Sequence, residues 1–383
     1  MSTAAVDAVV AEIEKQAEEY LSARPEGTLI VGLSVDGERH VRSVRAAGAE
    51  HAPLPDEKSI FEIGSVSKVF STTVLAALED EGLIGLEDPI RKHLPNGSRL
   101  PEHVGSLTIR RLATHSAGFG SVGKLHQKLI DEELRGTEPP WGTYTHYLRY
   151  RKEHLYSDLE TAELAYPTGE GWLYSVLGMG TLGHILELAS GRPYEELLVE
   201  TVCEPLGLAD IRYTLSEEQL GRVVYAYDAQ GQPCPNWYHD VMLPQGGLRG
   251  TIDDLLTFAE ANIRASVERD DSRISKALRR PREVFFSAPE SFRLPETGEP
   301  LDFVQGLGWR GTERPDGWAW WHGGTTLFYL AGCGVDEHAR VGFAVLSSYR
   351  ASVVDRVALH PLQQEWFRLA SDAAAGREPS GVR

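Results

Sequence analysis

The sequence predicts an α/β chain of the α+β kind, with one antiparallel sheet assembled from both chain ends, terminal helices flanking it, and a mainly helical region inserted between. Three observations predict this. Runs of β-type residues bounded by turn residues occur near both termini. The hydrophobic period changes to about 3.6 in the middle of the chain. Helical patterns stand at each end. Residues 1–60 and 300–383 are therefore expected to form a discontinuous sheet domain and residues 61–299 a helical insert, with a cleft at the junction as the natural place for a site.

In order along the chain, residues 1–24 read as an amphipathic helix carrying Glu12, Glu14, Lys15 and Glu18 at short intervals, without the apolar stretch of a signal peptide. Residues 28–35 and 39–44 read as strands, and Asp36-Gly37 between them is a strong hairpin signal because both residue types tolerate positive φ. Residues 69–78, 181–188 and 253–261 carry the helical period. Near the far end, residues 318–322, 328–335 and 341–346 read as three strands, with turns at Gly323-Gly324 and near Asp336. A last helical pattern covers 353–370, and the tail AAAGREPSGVR is expected to fray.

Composition excludes several classes of function. With 383 residues, 42% hydrophobic and 25% charged, the chain has ordinary globular usage, which rules out disorder or a collagen-like repeat as a description of the whole. A chain of this length buries roughly 75% of its unfolded surface, so its core needs neither disulfide nor structural metal. The net charge of −18 repels phosphate backbones and anionic lipid heads, which argues against nucleic-acid and membrane partners and leaves solubility as the reading of the acidity. No run of 18 apolar residues offers a membrane span. Cys203, Cys234 and Cys333 form no C-x-x-C pair, so reduced thiols in the cytoplasm are expected. The 13 histidines lack ligand spacing such as H-E-x-x-H, and no metal or cofactor is expected.

The most informative stretch is residues 59–90. Gly64 can make a tight turn, and Val66, Phe70, Val74 and Leu78 then repeat every four residues, placing Ser65 at the start of a largely buried helix. Lys68 lies one turn on, so its ammonium can fold back over the Ser65 hydroxyl. A serine needs a base to act as a nucleophile, and a lysine serves only when its pKa falls, as burial and the positive helix end both demand. A second Ser-x-x-Lys, Ser121 to Lys124, lies in a Gly-containing stretch with no such helix behind it and is read as structural.

The segments FEIGSVSKVF, LTIRRLATHSAGF, PTGEGWLYSVLGMGTLGHILELASGRPYEELL, QGGLRGTIDDLLTFAE and GLGWRG with WWHGGTTLFYLAGCGV follow in an order that resembles the serine β-lactamase-like superfamily of class C β-lactamases, DD-peptidases, D-aminopeptidases and related carboxylesterases. The resemblance runs from about residue 28 to about residue 365 and implies the β-lactamase/transpeptidase fold. It implies Ser65 as nucleophile with Lys68, and Tyr174 in the Tyr-x-Asn position as a proton shuttle, its phenolate favoured by the neighbouring ammonium. His322, Gly323 and Gly324 match the third motif, where two glycines let a substrate approach the strand, and the backbone N–H groups of Ser65 and Thr325 would form the oxyanion hole. Val176 stands where the motif has asparagine, so the amide side chain of a β-lactam or cell-wall peptide would lose its partner.

Other motifs compete weakly. Gly178 to Gly183 spells GxGxxG, yet a helical pattern continues through His184 to Ser190 where a βαβ unit would need a second strand. His115 reads as a helix-end or loop histidine, and Trp318, Trp320 and Trp321 suit core and cleft wall equally. Residues 120–166, where the family pattern fades, are expected to shape the pocket. The expected chemistry is acyl transfer through an acyl-Ser65 intermediate on a small ester, with amide hydrolysis, transfer to an acceptor other than water, and a non-catalytic binder as alternatives. His322 is left with three roles: a cation, a neutral hydrogen-bond partner, or a filler of its strand position.

Overall fold

The computed structural model describes residues 3–24, 27–49, 53–136, 146–226, 233–234, 236–294, 297–349 and 355–377. The expected helix start at 353–354, the end of the tail and residues 137–145 of the pocket-shaping segment lie outside these.

The strands are β1 (Thr28–Val35), β2 (Glu38–Arg45), β3 (Phe61–Glu62), β4 (Arg249–Gly250), β5 (Val304–Gln305), β6 (Arg310–Arg314), β7 (Gly317–Thr325), β8 (Tyr329–Asp336) and β9 (Val341–Ser348). Seven of them form one antiparallel sheet in the order β2-β1-β9-β8-β7-β6-β5, and β3 pairs β4 apart from it. The two chain ends meet where β1 pairs β9, from Thr28 opposite Ser348 to Val35 opposite Val341.

The sheet is covered on both faces. Helices α1 (Thr3–Ser22) and α7 (Asp355–Ala374) share one apolar cluster with it, in which Val10, Ile13 and Ala17 meet Leu29, Val31, Phe343 and Trp366. On the other face lies α6 (Ile252–Glu268), started by Thr251, whose hydroxyl caps the Asp254 N–H. Gly32 and Gly342 let this helix in: a Cβ on them would come within 2.8 Å of the Leu256 side chain and 3.0 Å of Ala259 Cβ. Phe258 of α6 stacks on Phe70 of α2 (Ser67–Asp80) with ring centroids 4.3 Å apart, which joins the sheet to the central helices in one core. The period-four residues Val66, Phe70, Val74 and Leu78 are all buried.

Some expectations are corrected. The glycine pair at 323–324 makes no turn; β7 runs through it to Thr325, and the chain reverses at 326–328, where Thr326 N–H reaches the Tyr329 carbonyl. Glycine serves there because the Ile63 carbonyl oxygen lies 2.0 Å from where a Gly324 Cβ would stand. Strands β5 and β6 went unanticipated because they are short and polar. A helix does follow the second Ser-x-x-Lys, α4 (Lys124–Gly136), but Ser121 is exposed and Lys124 pairs with Glu163 at 2.6 Å. Residues 178–183 lie inside α5 (Val176–Ser190), as the helical pattern required. Among the described residues no helix is long and apolar enough to cross a membrane.

Candidate active site

Gly64 adopts φ +49° in a short 3₁₀ turn, Gly64–Val66, that leads into α2. This turn sets Ser65 at the helix entrance and Lys68 one turn inside. Lys68 is fully buried, and its Nζ lies 3.0 Å from Ser65 Oγ. The same nitrogen donates to the Gln245 backbone carbonyl at 2.5 Å and to Gln245 Oε1 at 3.2 Å. Burial pushes the Lys68 ammonium well below the usual lysine range, and the Arg310 guanidinium adds to the effect. The lysine is therefore held towards the neutral amine that a general base requires.

Tyr174 precedes α5, whose first turn is capped by Ser175 Oγ accepting the Gly178 N–H at 2.9 Å. Its ring lies 4.9 Å from Lys68 Nζ, and its hydroxyl is within hydrogen-bonding reach of Ser65. Burial raises the Tyr174 phenol to about 12, against the opposing pull of Ser65 and Arg310. The expected phenolate is thus not the resting form, because desolvation outweighs the neighbouring charge. The tyrosine stands as a phenol that can hand a proton on.

Beyond Trp321, which pairs with Arg310, β6 no longer covers β7, while β8 continues to pair it as far as Thr325 opposite Leu330. Residues 322–325 therefore run on past the end of β6, and Gly323 and Thr325 line the cavity with Ser65. A Cβ on Gly64 would sit 2.9 Å from Thr325 N, and one on Gly324 3.2 Å from Ser65 N, so the two amides of the expected oxyanion hole are neighbours. A methyl group at Gly324 has no room beside the Ile63 carbonyl. The Gly324→Ala variant is expected to lose at least about a hundredfold in kcat with a smaller change in KM, because the donors must hold a developing oxyanion; steady-state kinetics checks it.

The His322 ring is buried on the Tyr174 side of β7, with centroids 6.2 Å apart, and its Nδ1 meets the Gly323 carbonyl at 2.7 Å. Burial, Arg310 and Lys68 hold it well below the ordinary histidine range. Of its three roles, the geometry favours a neutral ring that donates to backbone. Activity is expected to fall as pH drops through the lowered Lys68 value, since an ammonium cannot accept the Ser65 proton, and to persist as pH rises towards the Tyr174 value of about 12. His322→Asn should leave that acid limb in place; a displaced limb in the kcat/KM profile would assign it to His322 instead.

Two residues at the site were not picked out in the sequence. Arg310 lines the cavity with its guanidinium 5.2 Å from the Trp172 ring, 5.5 Å from Tyr174, 4.9 Å from Phe303 and 5.2 Å from Trp321. Its Nε has no hydrogen-bond partner among the described residues. Gln245 is the other. His115 does follow a helix end, in the left-handed region at φ +57°, but its ring packs 4.6 Å from Tyr174 and its Nδ1 accepts the Ser175 N–H at 3.1 Å. Trp320 belongs to the core and Trp321 to the cavity wall, while Trp318 packs at the core edge. Val176 and Tyr147, the latter from the pocket-shaping segment, complete part of a cavity of about 370 Å³.

The chain matches the family model described as Beta-lactamase over residues 14–365. It is 29% identical over 231 residues to the D-alanyl-D-alanine-carboxypeptidase/endopeptidase AmpH of Escherichia coli K12, covering 59% of this chain and 55% of that protein. Over 255 residues it is 27% identical to Esterase EstB of Burkholderia gladioli, covering 55% of this chain and 58% of the esterase. The matches thus span a little over half the length of these curated relatives. Its fold is that of the beta-lactamase/D-alanine carboxypeptidase from Pseudomonas syringae, with a TM-score of 0.73 at 16% identity over 98% of this chain and 100% of that one.

Proposed function

Since the chain belongs to the beta-lactamase family, we propose that it is a serine acyl hydrolase that cleaves small carboxylic esters through an acyl-Ser65 intermediate. The observation that carries the reading is the contact of 3.0 Å between Ser65 Oγ and a buried Lys68 whose charge is disfavoured. Lys68 takes the Ser65 proton as Oγ attacks the carbonyl, the N–H groups of Ser65 and Thr325 hold the oxyanion, and the proton passes by way of Tyr174 to the leaving group. Water then repeats the sequence on the acyl-enzyme.

Esters come first because Val176 presents only methyl groups to the cavity where an amide-binding side chain would be needed. Short-chain aryl esters are expected to be turned over at least about tenfold more efficiently than a chromogenic cephalosporin, about 1.4 kcal/mol in transition-state binding. Faster cephalosporin turnover would reverse the assignment. Val176→Asn should improve acylamide substrates selectively.

Arg310 favours a second reading, hydrolysis of an amide that carries a free carboxylate. Its guanidinium faces the cavity with an unpartnered Nε, and the E. coli relative is by its name a carboxypeptidase. A matched pair of substrates with and without the carboxylate, compared in wild type and Arg310→Met, decides between the readings. Transfer of the acyl group to an alcohol uses the same intermediate, and product analysis in the presence of an added alcohol measures it. Cys203, Cys234 and Cys333 are buried thiols outside any disulfide, which supports placing the chain in a reducing compartment such as the cytoplasm.

A further inference from the structure

We propose that the side chain of Gln245 is a positioning residue for the base: its Oε1, together with its own backbone carbonyl, takes both hydrogens of a neutral Lys68 amine and so turns the nitrogen lone pair onto the Ser65 hydroxyl. A neutral amine has two N–H groups and one lone pair, and among the described residues the Lys68 nitrogen has three neighbours within hydrogen-bonding distance. Two are acceptors only in this setting, the Gln245 carbonyl at 2.5 Å and Oε1 at 3.2 Å. The third is Ser65 Oγ at 3.0 Å, which can donate. Assigning the amide the other way round would aim an N–H at the lone pair and block the base.

Gln245 can do this because its segment is pinned to α2 on both sides. Ser71 Oγ donates to the Pro244 carbonyl at 2.6 Å, and the Leu248 N–H donates to Ser67 Oγ at 3.1 Å. The backbone at 245 is therefore held against the helix that carries Lys68, and the side chain, 2% exposed, folds back onto the same nitrogen while bordering the cavity. A backbone acceptor alone would leave the amine free to rotate about its last bond, so that the lone pair points at Ser65 only part of the time. The second acceptor removes that freedom, and misdirection of a catalytic group by about 1 Å can cost a hundredfold.

The charged and titratable groups facing Lys68 from other elements are Arg310 on β6, His322 on β7, Tyr174 before α5, His115 after α3 (Ile109–Ala113), and His239. None is altered by changes at position 245. The inference rests on Lys68 being the base for Ser65, and the experiment separates the two claims. Rates of fluorophosphonate labelling of Ser65 are measured against pH for wild type, Gln245→Met, Gln245→Glu and Lys68→Ala.

Methionine keeps the volume and removes the acceptor. The ammonium, which gains more from Oε1 than the amine does, then loses support, so the acid limb should move to lower pH while the plateau rate falls by about tenfold. Glutamate keeps an acceptor and adds charge, so its plateau should stay within about threefold of wild type and its limb should move to higher pH. The glutamate limb moves through its added charge whatever the native amide does, so the readout in that variant is its plateau, whereas a merely volume-filling role would leave both the limb and the plateau of Gln245→Met at wild type. Superimposed limbs and a wild-type plateau in Gln245→Met, with Lys68→Ala inert, would overturn the role of Gln245 alone. Labelling at the wild-type rate in Lys68→Ala would overturn the assignment of the base, and this inference with it.

Discussion

Ser65→Ala is expected to abolish covalent labelling by a fluorophosphonate and to lower ester turnover by about four to six orders of magnitude, the scale on which loss of a nucleophile is felt. The fold should survive. Ser65 sits in the turn before α2 and makes no side-chain cap there, so the hydroxyl contributes at most about 1 kcal/mol to the helix start. Intact mass after incubation with an activated ester checks the claim directly: wild type should carry the acyl group and the variant should not. Labelling that persists, or that moves to the exposed Ser121, would remove Ser65 from its role.

Lys68→Ala and Tyr174→Phe are each expected to slow acylation by about a thousandfold or more, and the double variant should be only slightly worse than the slower single one. The reason is geometric. Lys68 Nζ and the Tyr174 hydroxyl both address Ser65 Oγ, so the proton leaving the serine has one route through a shared set of hydrogen bonds. Removing either group breaks the whole route. Pre-steady-state burst rates with an aryl ester give the cycle, and losses that add would mean two independent contributions.

How far the site could be read beforehand follows the reach of each interaction along the chain. Ser65 and Lys68 are separated by one helical turn, so their contact is local and the period-four apolar residues behind them announce it. Tyr174 came only through resemblance, since nothing local in its segment points at Ser65. The helix-end place of His115 follows from its local segment, whereas its packing on the Tyr174 ring is a contact between residues 59 apart. The glycine pair at 323–324 suits both a turn and a close approach by its pattern, and only the course of β7 through it decides for the close approach.

By itself the sequence determined the hairpin at Asp36-Gly37, the strands near both ends and the buried helix that begins at Ser65, because each depends on backbone preference and on hydrophobic period over a few residues. Only the tertiary structure decided the charge states of the site. Burial beside an arginine 242 positions away pushes the Lys68 ammonium down, desolvation raises the Tyr174 phenol, and an amide 177 positions away lies against the lysine nitrogen. Solvation and electrostatics act through space, so side chains that chain order leaves far apart set each other's chemistry once the sheet and helices bring them together.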